Sequence, residues 1–184
     1  MIRHHQHTVL DPKLVKQKLE EFFKEDNIDF DITTQSTQIN TKKVLCHFIA
    51  KEEMVFAGKE IITQAFIKEC SIGSIMSDGA KVKKGEVIAS LSGFVDTILR
   101  KERVVLNLIQ RLSGIASMTK KLSEKLQPYN IQLLDTRKTT PGLRAFEKFA
   151  VCVGGGTNHR FSLKDAVMIK DNHLIGNPNI KDAV

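Results

Sequence analysis

The sequence predicts an α/β protein with an α+β region first and a parallel α/β region after it. Three observations predict this class: apolar residues recur at helical spacing, short apolar runs lie between turn signals, and strand and helix patterns alternate after Pro128. The 184 residues, of which 41% are hydrophobic, are enough to bury a core. We place the α+β domain at residues 1–103, and a linking helix with the incomplete start of the parallel domain at residues 104–184.

The first predicted helix begins at Asp11 and Pro12, because aspartate caps a helix well and proline fits its first position. Apolar residues then recur at helical spacing until about Asn27. These residues are Val15, Leu19, Phe22 and Phe23. Residues 43–51 suit a buried strand, and residues 60–68 return to a helical pattern.

Turn residues next indicate a hairpin-rich unit. Asp78-Gly79 and Lys84-Gly85 lie on either side of Val82, and a strand over residues 87–91 stops at Gly93. A long helix with one apolar side follows from about residue 95 to residue 125. Its Ser113-Gly114 pair implies close packing or a bend, because glycine inside a helix costs ~1 kcal/mol relative to alanine.

After Pro128 the pattern alternates between strand and helix. It predicts a strand at residues 131–135, a helix at 146–153, a strand at 167–170 and a last helix beginning near Asn179. Such alternation is typical of a parallel sheet covered by helices.

Composition excludes several classes of protein. The formal charge of +7 raises the question of nucleic-acid binding. However, the lysines of residues 13–24 alternate with glutamates, as on a solvated helix face, and one tyrosine with no tryptophan offers little base stacking. No apolar run approaches the ~20 residues of a membrane span. Histidines replace the apolar run that a signal peptide needs, at His4, His5 and His7. We therefore expect a cytoplasmic protein with no membrane and no nucleic-acid partner.

The three cysteines are Cys46, Cys70 and Cys152, an odd number without CxxC spacing. We expect reduced, buried side chains. Cys46 and His47 are neighbours on a strand and face opposite sides, so a zinc site there is excluded.

Cationic residues gather where the predicted strands end. In parallel α/β structures ligands lie at the carboxyl ends of the strands. Three segments would bring their cations to one such edge, two following the strands and one following Gly154-Gly155-Gly156. The cations are Arg137, Lys138, His159, Arg160 and Lys170. Guanidinium groups suit planar carboxylates and lysine suits diphosphate oxygens, so the sequence predicts an anionic ligand.

Three motifs of this region resemble the quinolinate phosphoribosyltransferase family. They are Asp-Thr-Arg-Lys-Thr-Thr-Pro-Gly-Leu-Arg at 135–144, Gly-Gly-Gly-Thr-Asn-His-Arg at 154–160 and Lys-Asp-Asn-His at 170–173. Glu102-Arg103 with Asn107, Leu-Ser-Gly-Ile-Ala at 112–116 and Asp-Ile-Thr at 31–33 fit the same family. The resemblance implies a (β/α) barrel of the type II phosphoribosyltransferase kind after the N-terminal domain.

The resemblance also implies an activity, the decarboxylating transfer of phosphoribosyl from phosphoribosyl pyrophosphate to quinolinate in NAD biosynthesis, with Mg²⁺. By the same resemblance Lys138 and Lys170 would be catalytic, with Lys138 facing the donor. Thr136 would orient the substrate, and Arg103 would reach the partner's site in a homodimer. The quinolinate carboxylates would be held by Arg137, His159, Arg160 and Lys170.

The family's barrel and its metal-binding acidic residues continue beyond the position of Val184. We therefore expect a fragment, a truncated product or a chain that needs a partner, with no metal site of its own and no phosphoribosyl transfer when alone. Two alternatives remain. One is a relative with another acceptor, such as the pyrophosphorylase-like protein associated with molybdenum transport, and the other is a non-catalytic polyanion-binding module.

Overall fold

The computed structural model of the protein describes residues 4–38, 42–176, 179 and 181. Two short 3₁₀ turns, Ile28–Phe30 and Gln127–Tyr129, accompany its regular elements. In chain order these elements are α1 (Pro12–Glu25), α2 (Ile32–Thr37), β1 (Lys43–Ile49), β2 (Met54–Val55), α3 (Lys59–Phe66), β3 (Ser71–Ile75), β4 (Lys81–Val82), β5 (Val87–Phe94), α4 (Val95–Leu126), α5 (Arg144–Val153) and α6 (Asp171–Leu174).

The first two predicted helices are confirmed as α1 and α3. Asp11 caps α1 by accepting a hydrogen bond from the backbone N–H of Lys13 at 3.0 Å. Val15 and Leu19 are buried on the side of α1 that packs against α3, while Lys16–Glu20 and Lys18–Glu21 form ion pairs away from the core. The apolar period therefore identified the face that packs.

A three-stranded antiparallel sheet in the order β1-β5-β3 packs against α3. The prediction of a buried strand at residues 43–51 is wrong about burial, because β1 is an edge strand and Leu45 is 66% exposed. Only alternate residues of β1 turn towards the core, where Phe48 meets the ring of Phe66 at 6.2 Å between centroids.

The hairpin-rich unit is confirmed. Gly79 and Gly85 have φ of 87° and 89°, which favours glycine, and they end the turns around the short β2–β4 pair. The strand predicted to stop at Gly93 continues to Phe94, because Gly93 is still paired with Val44 of β1.

The predicted long helix is confirmed as α4, whose 32 residues run through residue 103 without a break. The inference of close packing at Ser113-Gly114 holds for the serine, whose Oγ accepts a hydrogen bond from the backbone N–H of Ala57 at 3.1 Å. It does not hold for Gly114, where an added Cβ would meet no atom within 4 Å. Ser117 on the next turn likewise accepts from the backbone N–H of Val55 at 2.8 Å.

The region after Pro128 differs from its prediction. Helix α5 is confirmed, and its Phe146, Phe149 and Ala150 join the same core as α4. Residues 131–135 form no strand beyond one parallel bridge, between Leu134 and Thr157, and residues 167–170 form none. The two strand predictions are wrong because a strand needs a continuous row of backbone partners, which an apolar run does not supply. The helix predicted near Asn179 lies outside the described residues, apart from 179 and 181.

Candidate substrate-binding site

Two segments leave the bridge between Leu134 and Thr157 side by side. The backbone N–H of Asp135 donates to Thr157 O at 3.1 Å, and that of Thr157 donates to Leu133 O at 2.8 Å. Because the bridge is parallel, residues 135–138 and 158–160 continue in the same direction. The fold thus brings together two of the three cationic segments predicted from the sequence.

Beneath these segments lies a buried charge pair. Lys148 of α5, whose side chain is fully buried, donates from Nζ to Asp135 Oδ1 at 2.6 Å and to His159 O at 3.1 Å. Asp135 Oδ1 also accepts from the backbone N–H of His159 at 2.8 Å. The pair therefore ties α5 to both segments.

Asn158 extends this network to the start of the chain. Its Nδ2 donates to Asp135 Oδ2 at 2.7 Å and to Lys148 O at 2.9 Å, while its Oδ1 accepts from the backbone N–H of His7 at 2.7 Å. The Gln6 carboxamide pairs with the backbone of Asn158, accepting from its N–H at 2.7 Å and donating to its carbonyl at 3.0 Å. We call residues 4–7 the N-terminal arm, which lies across the segment 158–161.

The glycines before this segment allow close packing against α4. A Cβ on Gly154 would collide with Ala116 O and would lie 2.6 Å from Thr119 Cβ, while Gly155 has φ of 87°. The glycine run therefore places its segment directly on the long helix.

A second network holds the loop of residues 136–143. Glu147, which is buried, accepts from the Arg111 guanidinium at 2.8 and 2.6 Å and from the backbone N–H of Thr140 at 3.3 Å. Arg144 donates to Thr139 Oγ1 and to Phe161 O, both at 3.1 Å, and so joins this loop to the segment 158–161.

The predicted binding residues of the first segment are partly open to solvent. Thr136 and Lys138 are exposed, and Thr136 Oγ1 accepts from the backbone N–H of Lys138 at 3.1 Å. Arg137 is half-buried, and its buried Nε has no hydrogen-bond partner within the described part of the chain.

The second segment carries His159 and Arg160. The half-buried His159 ring lies 4.6 Å from that of His4, between centroids. Arg160 is only 6% exposed and donates to Ala166 O at 2.9 Å and to Met168 Sδ at 3.5 Å.

Lys170 and Arg103 are not joined to this group by a hydrogen bond or an ion pair among residues 4–38 and 42–176. Lys170 is exposed just before α6, and its backbone N–H donates to His173 Nδ1 at 3.0 Å. Arg103 is exposed on α4. The predicted cluster of five cations is therefore assembled in part, since its two segments at 135–138 and 158–160 lie together and Lys170 lies apart.

The charges around the site leave several cations unpaired. Asp135 is engaged by Lys148 and Glu147 by Arg111. Four cations near these carboxylates form no ion pair with a described residue, namely Arg137, Lys138, Arg144 and Arg160. The arrangement is suited to an anion with more than one charge.

Burial shifts the pKa of two groups beside the network. Desolvation lowers the pKa of His7 below its usual 6.5, and the charges of His5 and Lys148 add to this effect. Burial raises the pKa of the Cys152 thiol, whose Sγ lies 3.1 Å from Asn158 Oδ1. The three cysteines are free and half-buried rather than fully buried as predicted.

Sequence reasoning missed the residues that hold the site together: Lys148, Asn158, Glu147, Arg111 and Arg144. One signal was available for Lys148 and Glu147, since they are the two charged residues of the otherwise apolar stretch 146–153. Their partners could not be chosen from the sequence alone, because these contacts depend on the tertiary fold.

Neither a metal centre nor a membrane segment is found in the part of the chain that the structure describes. No three His, Cys, Asp or Glu side chains of that part are grouped as metal ligands. Its helices include none with the length and apolarity needed to cross a bilayer.

Known proteins resemble the chain along most of its length. The family profile described as "quinolinate phosphoribosyl transferase, N-terminal domain" matches residues 31–113, and the corresponding C-terminal domain profile matches residues 115–184. A Bacillus subtilis protein named "probable nicotinate-nucleotide pyrophosphorylase [carboxylating]" is 48% identical over 172 residues, which cover 92% of this chain and 59% of the relative. A tobacco protein named "quinolinate phosphoribosyltransferase [decarboxylating] 2b, mitochondrial" is 42% identical over 147 residues, 78% of this chain and 41% of the relative.

Solved structures agree with the sequence relatives. The nicotinate-nucleotide pyrophosphorylase of Francisella tularensis superposes with a TM-score of 0.88 at 37% identity, over 95% of this chain and 63% of that protein. The same-named protein of Ehrlichia chaffeensis gives 0.85 at 36% identity, over 91% and 62%. These neighbours confirm the predicted α/β class, although the chain spans less than two thirds of each relative. The two domain profiles match in order along one chain, which therefore belongs to the quinolinate phosphoribosyltransferase family.

Proposed function

We propose that the protein binds quinolinate and takes part in the decarboxylating transfer of phosphoribosyl from phosphoribosyl pyrophosphate, giving nicotinate mononucleotide, carbon dioxide and pyrophosphate. The observation that carries the proposal is the buried guanidinium of Arg160, which is 6% exposed and forms no ion pair with a described carboxylate. A buried charge without a counter-ion is costly, so an anionic ligand beside Arg160 offsets that cost.

Arg137 supports the same ligand. Its buried Nε is without a partner in the described part of the chain, and its segment runs beside that of Arg160. Two guanidinium groups on adjacent segments suit two carboxylates on one ring, because each guanidinium can bond a carboxylate with two parallel N–H donors. His159 lies between them in the sequence and supplies a further donor.

The remaining predicted residues complete the proposed site. Lys170 contributes charge to the quinolinate carboxylates, which requires residues 170–176 to approach the cluster. Lys138 is exposed at the end of the first segment, where a mobile ammonium suits the diphosphate of the donor. Thr136 orients the substrate beside Arg137.

The chemistry in this proposal requires positioning and charge compensation. The cations neutralise the two carboxylates and leave the pyridine nitrogen free to attack the anomeric carbon of the donor, as pyrophosphate departs. The quaternised nitrogen then accepts the electron pair of the breaking carbon–carbon bond, and the neighbouring carboxylate leaves as carbon dioxide. The protein's contribution is electrostatic and needs no acid–base residue at that carbon.

Mg²⁺ enters the proposal only with the diphosphate of the donor. The described residues do not fit a metal site, because no group of three potential ligands occurs among them and Asp135 is already engaged by Lys148, Asn158 and His159.

The proposal extends to a homodimer in which Arg103 reaches the partner's site. Arg103 is exposed on α4 and makes no hydrogen bond or ion pair with a described residue, so its side chain is available. We also propose a cytoplasmic location.

Calorimetric titration of the 184-residue chain with quinolinate tests the proposal. Arg137→Ala and Arg160→Ala each remove charge-assisted bonds contributing about 1.5–3 kcal/mol, so affinity should fall roughly 10- to 100-fold. Lys84→Ala, which removes one positive charge from the exposed β4–β5 turn, should leave affinity unchanged.

Nicotinate, which has one carboxylate, serves as the ligand control and should bind more weakly than quinolinate. Unchanged quinolinate affinity in both arginine variants would contradict the proposal. Tight, strongly salt-dependent binding of an oligonucleotide without selective quinolinate binding would favour a polyanion-binding module instead.

A further inference from the structure

We propose that Lys148 is a positioning residue, which fixes the backbone of His159 and thereby aims His159 and Arg160 at the ligand. The inference rests on the proposed function, because the residues that Lys148 positions are those proposed to bind quinolinate. Lys148 itself does not touch the ligand, since its side chain is fully buried and its Nζ is engaged by two protein oxygens.

The peptide groups on both sides of His159 are bonded to the buried pair. The carbonyl of His159 accepts from Lys148 Nζ at 3.1 Å, and its N–H donates to Asp135 Oδ1 at 2.8 Å. Lys148 and Asp135 bind each other at 2.6 Å. One buried ion pair therefore holds the residue on both sides of its Cα, which restricts its rotation and hence the direction of its side chain.

Asn158 makes this arrangement rigid. Its Nδ2 donates both to the second oxygen of Asp135, at 2.7 Å, and to the backbone carbonyl of Lys148, at 2.9 Å. Asn158 is 1% exposed, so these bonds form in a protein interior where polar interactions are strong and highly directional. Helix α5 and the two cationic segments thus share one set of bonds.

Stability alone does not explain a lysine at this position. A buried ion pair gains little over well-packed apolar side chains of similar volume, because both charges lose their hydration. The neighbours of Lys148 on α5, namely Phe146, Phe149 and Ala150, belong to the apolar core, where an apolar side chain would also fit. The distinctive property of Lys148 is the position of its donor group, which reaches the backbone of a predicted binding residue from a different element.

Lys148→Met is the direct test, and the chain offers a matched control. Lys101 has the same bonding pattern, donating to a carboxylate, Glu69 at 2.7 Å, and to a backbone carbonyl, Ala65 at 2.8 Å, and its side chain is 12% exposed. Lys101→Met therefore removes an equivalent lysine away from the proposed site. Both variants are compared with the unaltered 184-residue chain.

Two measurements are made on each protein: quinolinate affinity by calorimetry, and hydrogen exchange of the peptides covering residues 135–138 and 157–161. We expect Lys148→Met to weaken quinolinate binding about tenfold or more, since small displacements of positioned groups have large effects, and to accelerate exchange at 157–161. Lys101→Met should leave both unchanged. Equal affinity in the two methionine variants would overturn the proposal.

A double variant keeps the test decisive where Lys148→Met unfolds the chain. Lys148→Met with Asp135→Asn removes both charges of the buried pair, so it should be less destabilised than Lys148→Met alone. It should still lose quinolinate affinity, and normal affinity in this folded variant would refute the positioning role.

Failure of the proposed function gives a different result. In that case the unaltered chain does not bind quinolinate, and only the hydrogen-exchange measurement tests whether Lys148 holds the segment 157–161. Unchanged protection of residues 157–161 in the Lys148 variants would then show that Lys148 does not hold this segment.

Discussion

Asn158→Ala tests how much of the native stability depends on the buried polar network. The asparagine side chain bonds Asp135, Lys148 and His7, and its Oδ1 also accepts a weak bond from the Cys152 thiol. Alanine removes these bonds together and leaves the Lys148 carbonyl and the Asp135 oxygen without their common donor. Because Asn158 is 1% exposed, water cannot easily replace it.

The magnitude follows from the individual bonds. The bond to the Asp135 carboxylate contributes about 1.5–3 kcal/mol, and the two bonds with backbone groups contribute about 0.5–1.5 kcal/mol each. The free energy of unfolding should therefore fall by about 2.5–6 kcal/mol in urea denaturation.

Gln35→Ala is the control for this measurement. The Gln35 carboxamide makes one exposed bond, to Asp29 O at 3.2 Å, so its removal should change the free energy of unfolding by less than about 0.5 kcal/mol. The arm residues 4–7 should also exchange faster in Asn158→Ala, because the acceptor of the His7 N–H is lost. A loss of stability no larger than that of Gln35→Ala would show that the native stability does not depend on the network.

Two further predictions concern the arm and the glycine run. The pKa of His7 is lowered in the folded chain, so above pH 6.5 the imidazole is neutral in both states, whereas below it the unfolded chain binds the proton first and stability falls. Between pH 7.5 and 5.5, His7→Gln should therefore lose less free energy of unfolding than the unaltered chain. Equal losses in the two proteins would contradict this assignment. Gly154→Ala should lower the free energy of unfolding in urea by about 1–3 kcal/mol, because its Cβ would overlap α4. Gly114→Ala, at a helix position where the added Cβ meets open space, should raise it by up to about 1 kcal/mol in the same assay.

Local patterns predicted the helices well. The cap at Asp11, the apolar period of α1 and the long apolar side of α4 depend on residues within a few turns of each other, and all three are confirmed. The strands over residues 131–135 and 167–170 failed because pairing depends on distant segments. An apolar run predicts that a strand is possible, but it does not supply a neighbouring backbone.

The same distinction applies to the site. Its cations could be predicted because Arg137, His159 and Arg160 follow apolar runs or glycines in the sequence. The network below them could not, because Lys148 and Asp135 meet only when α5 packs under the two segments. The apolar period of α5 shows which positions face the core. It does not show whether a lysine in this helix is buried and bonded or exposed to solvent.

The bond between Gln6 and Asn158 has a consequence for the timing of folding. Its two partners are 152 positions apart in the chain, so the arm cannot reach its place until the segment after the glycine run has been made. At about 5–20 residues per second, the ribosome needs roughly 8–30 s to add that stretch. Closing so large a loop is also entropically slow. Residues 4–7 are therefore expected to dock late, and they complete the shell around a segment that is synthesised well after them.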